Sequence, residues 1–129
     1  MTDTVQSRFL RYVSFDTQSA RDSSTAPSTE KQLKLAQALV EELKSYGIGN
    51  AHVGHGGVVY AEISASKGCE ACPSIGFIAH MDTAPDASGE NVKPQILRYE
   101  GGDVILNAEK NIVFKAADFP EITKYAGED

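Results

Sequence analysis

The sequence has no run of about 18 apolar residues, the length that crosses a bilayer as a helix. Basic residues are few: 12 Lys and Arg stand against 18 Asp and Glu, a formal charge of −6. Nucleic acids and anionic membrane surfaces are bound through basic patches, so neither is expected as a partner. The opening Met1-Thr2-Asp3-Thr4 lacks the basic-then-apolar pattern of a secretory leader, which gives a cytoplasmic expectation. No internal repeat is present. Cysteine is confined to Cys69 and Cys72. A zinc ribbon needs a second such pair, and a redox pair usually opens a helix. Pro73 and the apolar run after it argue for a loop instead. The plain expectation is two loop thiols, with a structural zinc module built from this pair and a histidine as the alternative.

What is present is ordinary globular material, 129 residues with 41% hydrophobic and 23% charged, enough for one domain with a moderate core. Residues 4 to 14 predict a helix capped by Asp3, with Val5, Phe9, Tyr12 and Val13 on the face that packs against a sheet. Ser14 to Pro27 is rich in Ser, Thr, Asp and Ala and predicts a polar loop without a catalytic role. Residues 29 to 46 predict a second helix, opened by a Thr29–Gln32 capping box. Its apolar stripe is Leu33, Ala36, Leu39, Val40, Leu43 and Tyr46, with Glu41, Glu42 and Lys44 toward solvent. Gly47 suits the left-handed stop, with Ile48 following. Residues 51 to 63 predict a hairpin turning at Gly54-His55-Gly56-Gly57. His52 and His55 are read there as structural. Val92 to Leu97 and Asp103 to Leu106 predict short strands around Gly101-Gly102, with Pro94 making the first irregular or an edge. Asp118 is expected to cap a helical turn from Phe119 to Tyr125, with Pro120 inside it.

The chain is organised around Ser74 to Asp86. An uncharged apolar run, Ile75-Gly76-Phe77-Ile78-Ala79, leads into His80-Met81-Asp82, and Pro85 marks a turn. Such a run predicts a strand buried on both faces of an α/β sheet, and sites in open α/β sheets lie beyond the carboxyl ends of strands. On an extended chain, residues i and i+2 point to the same side. His80 and Asp82 therefore face one small volume. Neutral imidazole is a good zinc ligand, and a carboxylate behind it fixes the ring and raises its basicity. The triplet alone fits a metal-free His–Asp hydrogen bond as well, since a zinc site takes about four ligands.

The stretch Ile75 to Asp86 resembles the first metal motif of the di-zinc aminopeptidase and carboxypeptidase family, and in particular its tripeptide aminopeptidases. Arg8 to Gln18, Pro27-Ser28-Thr29-Glu30, Asn91 to Ile96 and Tyr99-Glu100-Gly101-Gly102-Asp103 agree with the same family in the same order. The resemblance runs from about residue 5 to the end. It implies an α/β fold, part of a three-layer α/β/α zinc-peptidase catalytic domain with a mixed central sheet, here truncated. Residues 1–129 would be the N-terminal portion of that domain, without the lid and dimerisation domain through which such enzymes form homodimers. His80 would ligate one of two zinc ions, and Asp82 would act as the catalytic-site carboxylate that holds the imidazole.

The resemblance also implies a bridging Asp, a Glu-Glu pair carrying the general base, a further Asp and a late His. No stretch here matches these. The implied activity is release of the N-terminal amino acid from small peptides, tripeptides above all, by metal-activated water. The fragment by itself is expected to be inactive. Another di-zinc hydrolase, a dipeptidase or deacylase, would use the same His80 and Asp82. A non-catalytic folded module associating through an open sheet edge is the reading from a different class.

Overall fold

The structure is a computed structural model, and it describes residues 4–128. It is small and mixed, with helices, short strands and two antiparallel two-stranded sheets. Two compact units divide it, residues 1–94 and residues 95–129. This mix of elements is compatible with a truncated α/β domain.

In the first unit, helix α1 spans Val5–Tyr12. Thr4 is its N-cap. The Thr4 hydroxyl accepts from the Ser7 backbone N–H at 3.1 Å, and the Ser7 hydroxyl lies 2.8 Å from the Thr4 backbone N–H. This reciprocal box satisfies two of the amides that a helix start leaves orphaned. The predicted cap Asp3 lies outside the described residues. The apolar face of α1 is not a sheet-packing face: Val5 and Phe9 are exposed, and the helix buries no residue.

Helix α2, Gln32–Ser45, is the centre of the unit. Its buried face is Gln32, Leu35, Ala36 and Val40, spaced three and four apart as an apolar stripe requires. Leu33 and Tyr46, placed on that stripe by sequence, are exposed. The Thr29 capping box does not form. Lys31 is the N-cap, without a side-chain bond; the Thr29 hydroxyl donates to the Gln18 carbonyl at 2.7 Å and accepts from the Gln32 side-chain amide at 3.1 Å. The C-terminal stop follows the expectation. Gly47 has φ +86, its N–H reaches Lys44 O at 2.9 Å, and the Ile48 N–H reaches Leu43 O at 3.1 Å. Only a residue free of a Cβ enters that left-handed position without strain.

Glu42 corrects another expectation. Its side chain is only 13% exposed, and it accepts from the Arg11 guanidinium and, at 2.5 Å, from the Tyr12 hydroxyl. The acid assigned to solvent thus holds α1 on α2.

Strands β1, His52–Val53, and β2, Val59–Tyr60, form the predicted hairpin, shorter than expected. The Asn50 side-chain amide extends it, donating to Glu62 O at 3.0 Å and accepting from Glu62 N–H at 3.1 Å. His52 stacks on Tyr60 with centroids 5.7 Å apart, and its Nδ1 lies 2.9 Å from Asn50 O. His55 sits at the exposed tip. The hairpin rests against α2.

The run from Ile75 to Ala79 forms no strand and is not buried: Phe77 is 95% and Ile78 101% exposed. The pattern suits a sheet interior. However, no strand among the described residues pairs with it, and a strand without neighbours gains neither ladder bonds nor cover.

In the second unit, β3, Val104–Asn107, pairs antiparallel with β4, Ile112–Phe114. The strand expected at Val92 to Leu97 does not form, and Pro94 has no N–H to give a ladder. The partner β4 lay beyond a turn that carries no Gly signal, closed instead by Asn111 at φ 51. Tyr99 is buried, and its hydroxyl donates to Gly102 O at 2.9 Å. The turn at Pro120–Tyr125 is a 3-10 helix with Pro at its start. Asp118 does not cap it: Phe119 precedes it without a side-chain bond.

Candidate functional site

His80 and Asp82 come together as their spacing requires, with Nδ1 3.2 Å from Asp82 Oδ1. An ionised carboxylate only accepts hydrogen bonds, so Nδ1 carries the proton. Nε2 is the ring nitrogen that the Asp82 contact leaves unused, the arrangement in which a carboxylate orients a metal-binding imidazole. The His80 side chain is 85% exposed and that of Asp82 42%. Both stand on the rim of an open hollow of about 840 Å³, whose walls include Phe9, Leu35, Leu39 and Val59.

What holds the segment is a network from the polar loop before α2. The Thr83 N–H donates to Thr17 O at 3.1 Å, and the Ser19 N–H donates back to Thr83 O at 2.9 Å. This is one isolated parallel bridge, at Gln18 and Thr83. The Gln18 amide donates to Pro85 O at 3.0 Å and to Ala87 O at 2.8 Å. Beneath it, Lys31 Nζ donates to Asp16 Oδ2 at 2.9 Å, and the Gln18 N–H to Asp16 Oδ1 at 3.1 Å. The Lys31 ammonium and then the Gln18 amide hold the Asp16 carboxyl below its usual range. Gly89 approaches so closely that a Cβ there would lie 2.9 Å from Asp16 Oδ1. Arg21 pairs with Asp86 at the far side of the turn.

Composition assigned this loop no catalytic role. The signal available was the stretch Asp16-Thr17-Gln18 in the family resemblance. Its polar side chains bind backbone some 65 residues away, a relation that no local spacing carries.

The donor set fits one corner of a zinc site. It offers one imidazole with its orienting carboxylate. Among the described residues, no group of three or more His, Cys, Asp or Glu converges to hold a metal ion. His52, His55, Cys69 and Cys72 do not join His80 in such a group.

No family model matches the chain. Curated relatives do match it, and they are peptidases by name. The chain is 54% identical over 121 residues to peptidase T of Clostridium acetobutylicum. It is 53% identical over 121 residues to peptidase T of Desulfitobacterium hafniense, and 48% identical over 126 residues to that of Parabacteroides distasonis. These matches cover 93% to 98% of this chain. The chain spans only 29% to 31% of the length of those relatives. It is similar to the N-terminal part of peptidase T.

Proposed function

We propose that the chain is the N-terminal portion of the catalytic domain of a zinc-dependent aminopeptidase that removes the N-terminal residue from tripeptides. The observation that carries the proposal is the 54% identity to a peptidase T across the stretch where His80 and Asp82 meet at 3.2 Å. In this reading His80 Nε2 is one zinc ligand, and Asp82 keeps the proton on Nδ1 and the ring in place. When bound, zinc supplies a Lewis acid and a water whose pKa falls to about 7. Asp82 does not itself move a proton in the reaction. The Thr17–Thr83 bridge and Gln18 fix the backbone from which both side chains project.

The completed fold is the three-layer α/β/α domain with a mixed sheet, in which Ile75 to Ala79 becomes an inner strand. The parent is a cytoplasmic homodimer acting on small peptides. Residues 1–129 alone are inactive, since a tight zinc site needs several convergent donors.

The test is a chimera in which this chain replaces the matching part of the Clostridium acetobutylicum relative. Zinc-dependent release of the N-terminal residue from a tripeptide is expected, and His80→Ala abolishes it. Full activity in the His80→Ala chimera refutes the assignment of His80. Calorimetric titration of the isolated chain with zinc adds a second reading. Weak binding lost in His80→Ala agrees with one orphan ligand, and tight stoichiometric binding that survives His80→Ala overturns the site.

A further inference from the structure

Cys69 and Cys72 belong to no part of the site above. Both side chains are exposed and both thiols are free. The Cys72 N–H donates to Cys69 O at 3.0 Å, and the Cys69 N–H donates to Ser66 O at 2.9 Å. The two cysteines are thus the first and last residues of one hydrogen-bonded four-residue turn. A turn of this kind keeps its end Cα atoms within about 7 Å. A disulfide takes Cα atoms about 4.4–6.8 Å apart.

The turn is further tied by Glu70, whose carboxylate accepts from the Gly68 N–H at 3.0 Å. That bond, with a second from its own amide, holds the Glu70 carboxyl below its usual range. Gly68 at φ +86 makes the bend that precedes the pair. Pro73 follows directly, and its ring restricts the chain on that side of the pair. A closed metal site is not formed here, because no third donor among the described residues joins the thiols.

We infer that Cys69 and Cys72 form a reversible dithiol–disulfide site, poised by their turn to be oxidised by low-molecular-weight disulfides. One cysteine thiolate attacks a sulfur of the small disulfide, displaces one thiolate and forms a mixed disulfide. The second cysteine thiolate then attacks the protein sulfur of that bond and displaces the other small thiolate. Two electrons pass from the protein to the small disulfide. The two protons of the cysteines go to the two departing thiolates, and the one new bond in the protein is Cys69–Cys72.

Oxidised glutathione is the probe. Intact mass should show loss of two hydrogens, no bound glutathione and no alkylatable thiol, at a rate independent of protein concentration. Cys69→Ser and Cys72→Ser should each instead retain one glutathione. The equilibrium should favour the disulfide about fivefold more in the folded chain than in urea, the preorganisation of roughly one hydrogen bond. Wild-type protein that keeps glutathione, links chain to chain or stays reduced overturns the inference. Equal constants with and without urea overturn it too, because the turn would then contribute nothing.

Discussion

Gln18→Ala is the sharpest probe of how the His80–Asp82 segment is held. The substitution removes the donors to Pro85 O and Ala87 O and leaves the Thr17–Thr83 bridge in place. A hydrogen bond contributes about 0.5–1.5 kcal/mol net, so the pair is worth about 1–3 kcal/mol. Because Gln18 is partly solvated, the lower half of that range is expected, near 1.5 kcal/mol. Toward α2 this side chain makes only one long contact, Lys31 Nζ to its Oε1 at 3.4 Å beside the stronger Lys31–Asp16 pair, so the cost falls on a local opening and not on the whole unit. Amide hydrogen exchange reads that opening directly. The amides of Ser19 and Thr83 should exchange about tenfold faster, since 1.4 kcal/mol is a factor of ten. Amides in the middle of α2 should keep their rates. If Ser19 and Thr83 exchange as in the parent chain, Gln18 does not hold the segment, and the reasoning fails. If all amides accelerate equally, the loop and α2 open as one unit, and the assignment of a local clamp fails instead.

Other outcomes follow from the same contacts. Glu42→Gln should lower the unfolding free energy by about 1.5–3 kcal/mol, as hydrogen bonds to charged groups do, read from urea midpoints. It should also bring Tyr12 back toward its ordinary titration, because burial first and the Glu42 carboxylate second hold that hydroxyl's pKa up. Ultraviolet titration against a Tyr12→Phe control measures it. The sign for stability is that of a raised group: the Tyr12 contribution is complete below the ordinary tyrosine value and is lost as pH rises through the folded one. Asp16 has the opposite sign. Its carboxyl is held down by Lys31 and the Gln18 N–H. Its contribution is therefore present above the ordinary Asp value and is lost as pH falls through the lower folded value. Lys31→Ala should raise the Asp16 titration seen by carboxyl NMR, and no change would refute the pairing.

Local rules reached the elements whose causes are local. The stripe at Ala36 and Val40, the Gly47 stop, the hairpin around Gly56 and the proline-led turn at Pro120 all rest on contacts within a few residues. So does the His80–Asp82 contact, which follows from two-residue periodicity. Local rules failed where a side chain had a better distant partner. Thr29 donates its hydroxyl to Gln18 and accepts from the Gln32 side chain, not from a backbone amide of α2, and Glu42 faces α1 instead of water. The apolar run before His80 shows another failure. Its composition suits an inner strand, but burial needs neighbours, and none among the described residues lies alongside. Of the zinc-site expectation, the His80–Asp82 contact is what local spacing reaches, and among the described residues no group of three or more His, Cys, Asp or Glu gathers.

The way α1 is fastened has a consequence for how the chain responds to its solvent. That helix buries no residue, and its ties to α2 run through Glu42 to Arg8 at 4.0 Å, Arg11 and Tyr12. Ionic attractions weaken as the Debye length shrinks from about 10 Å at 0.1 M salt to about 3 Å at 1 M. The residues that α2 buries include the apolar Leu35, Ala36 and Val40, and burial of that kind feels no such screening. Dissolved salt therefore acts on the two helices unequally, loosening the first at concentrations that leave the second seated.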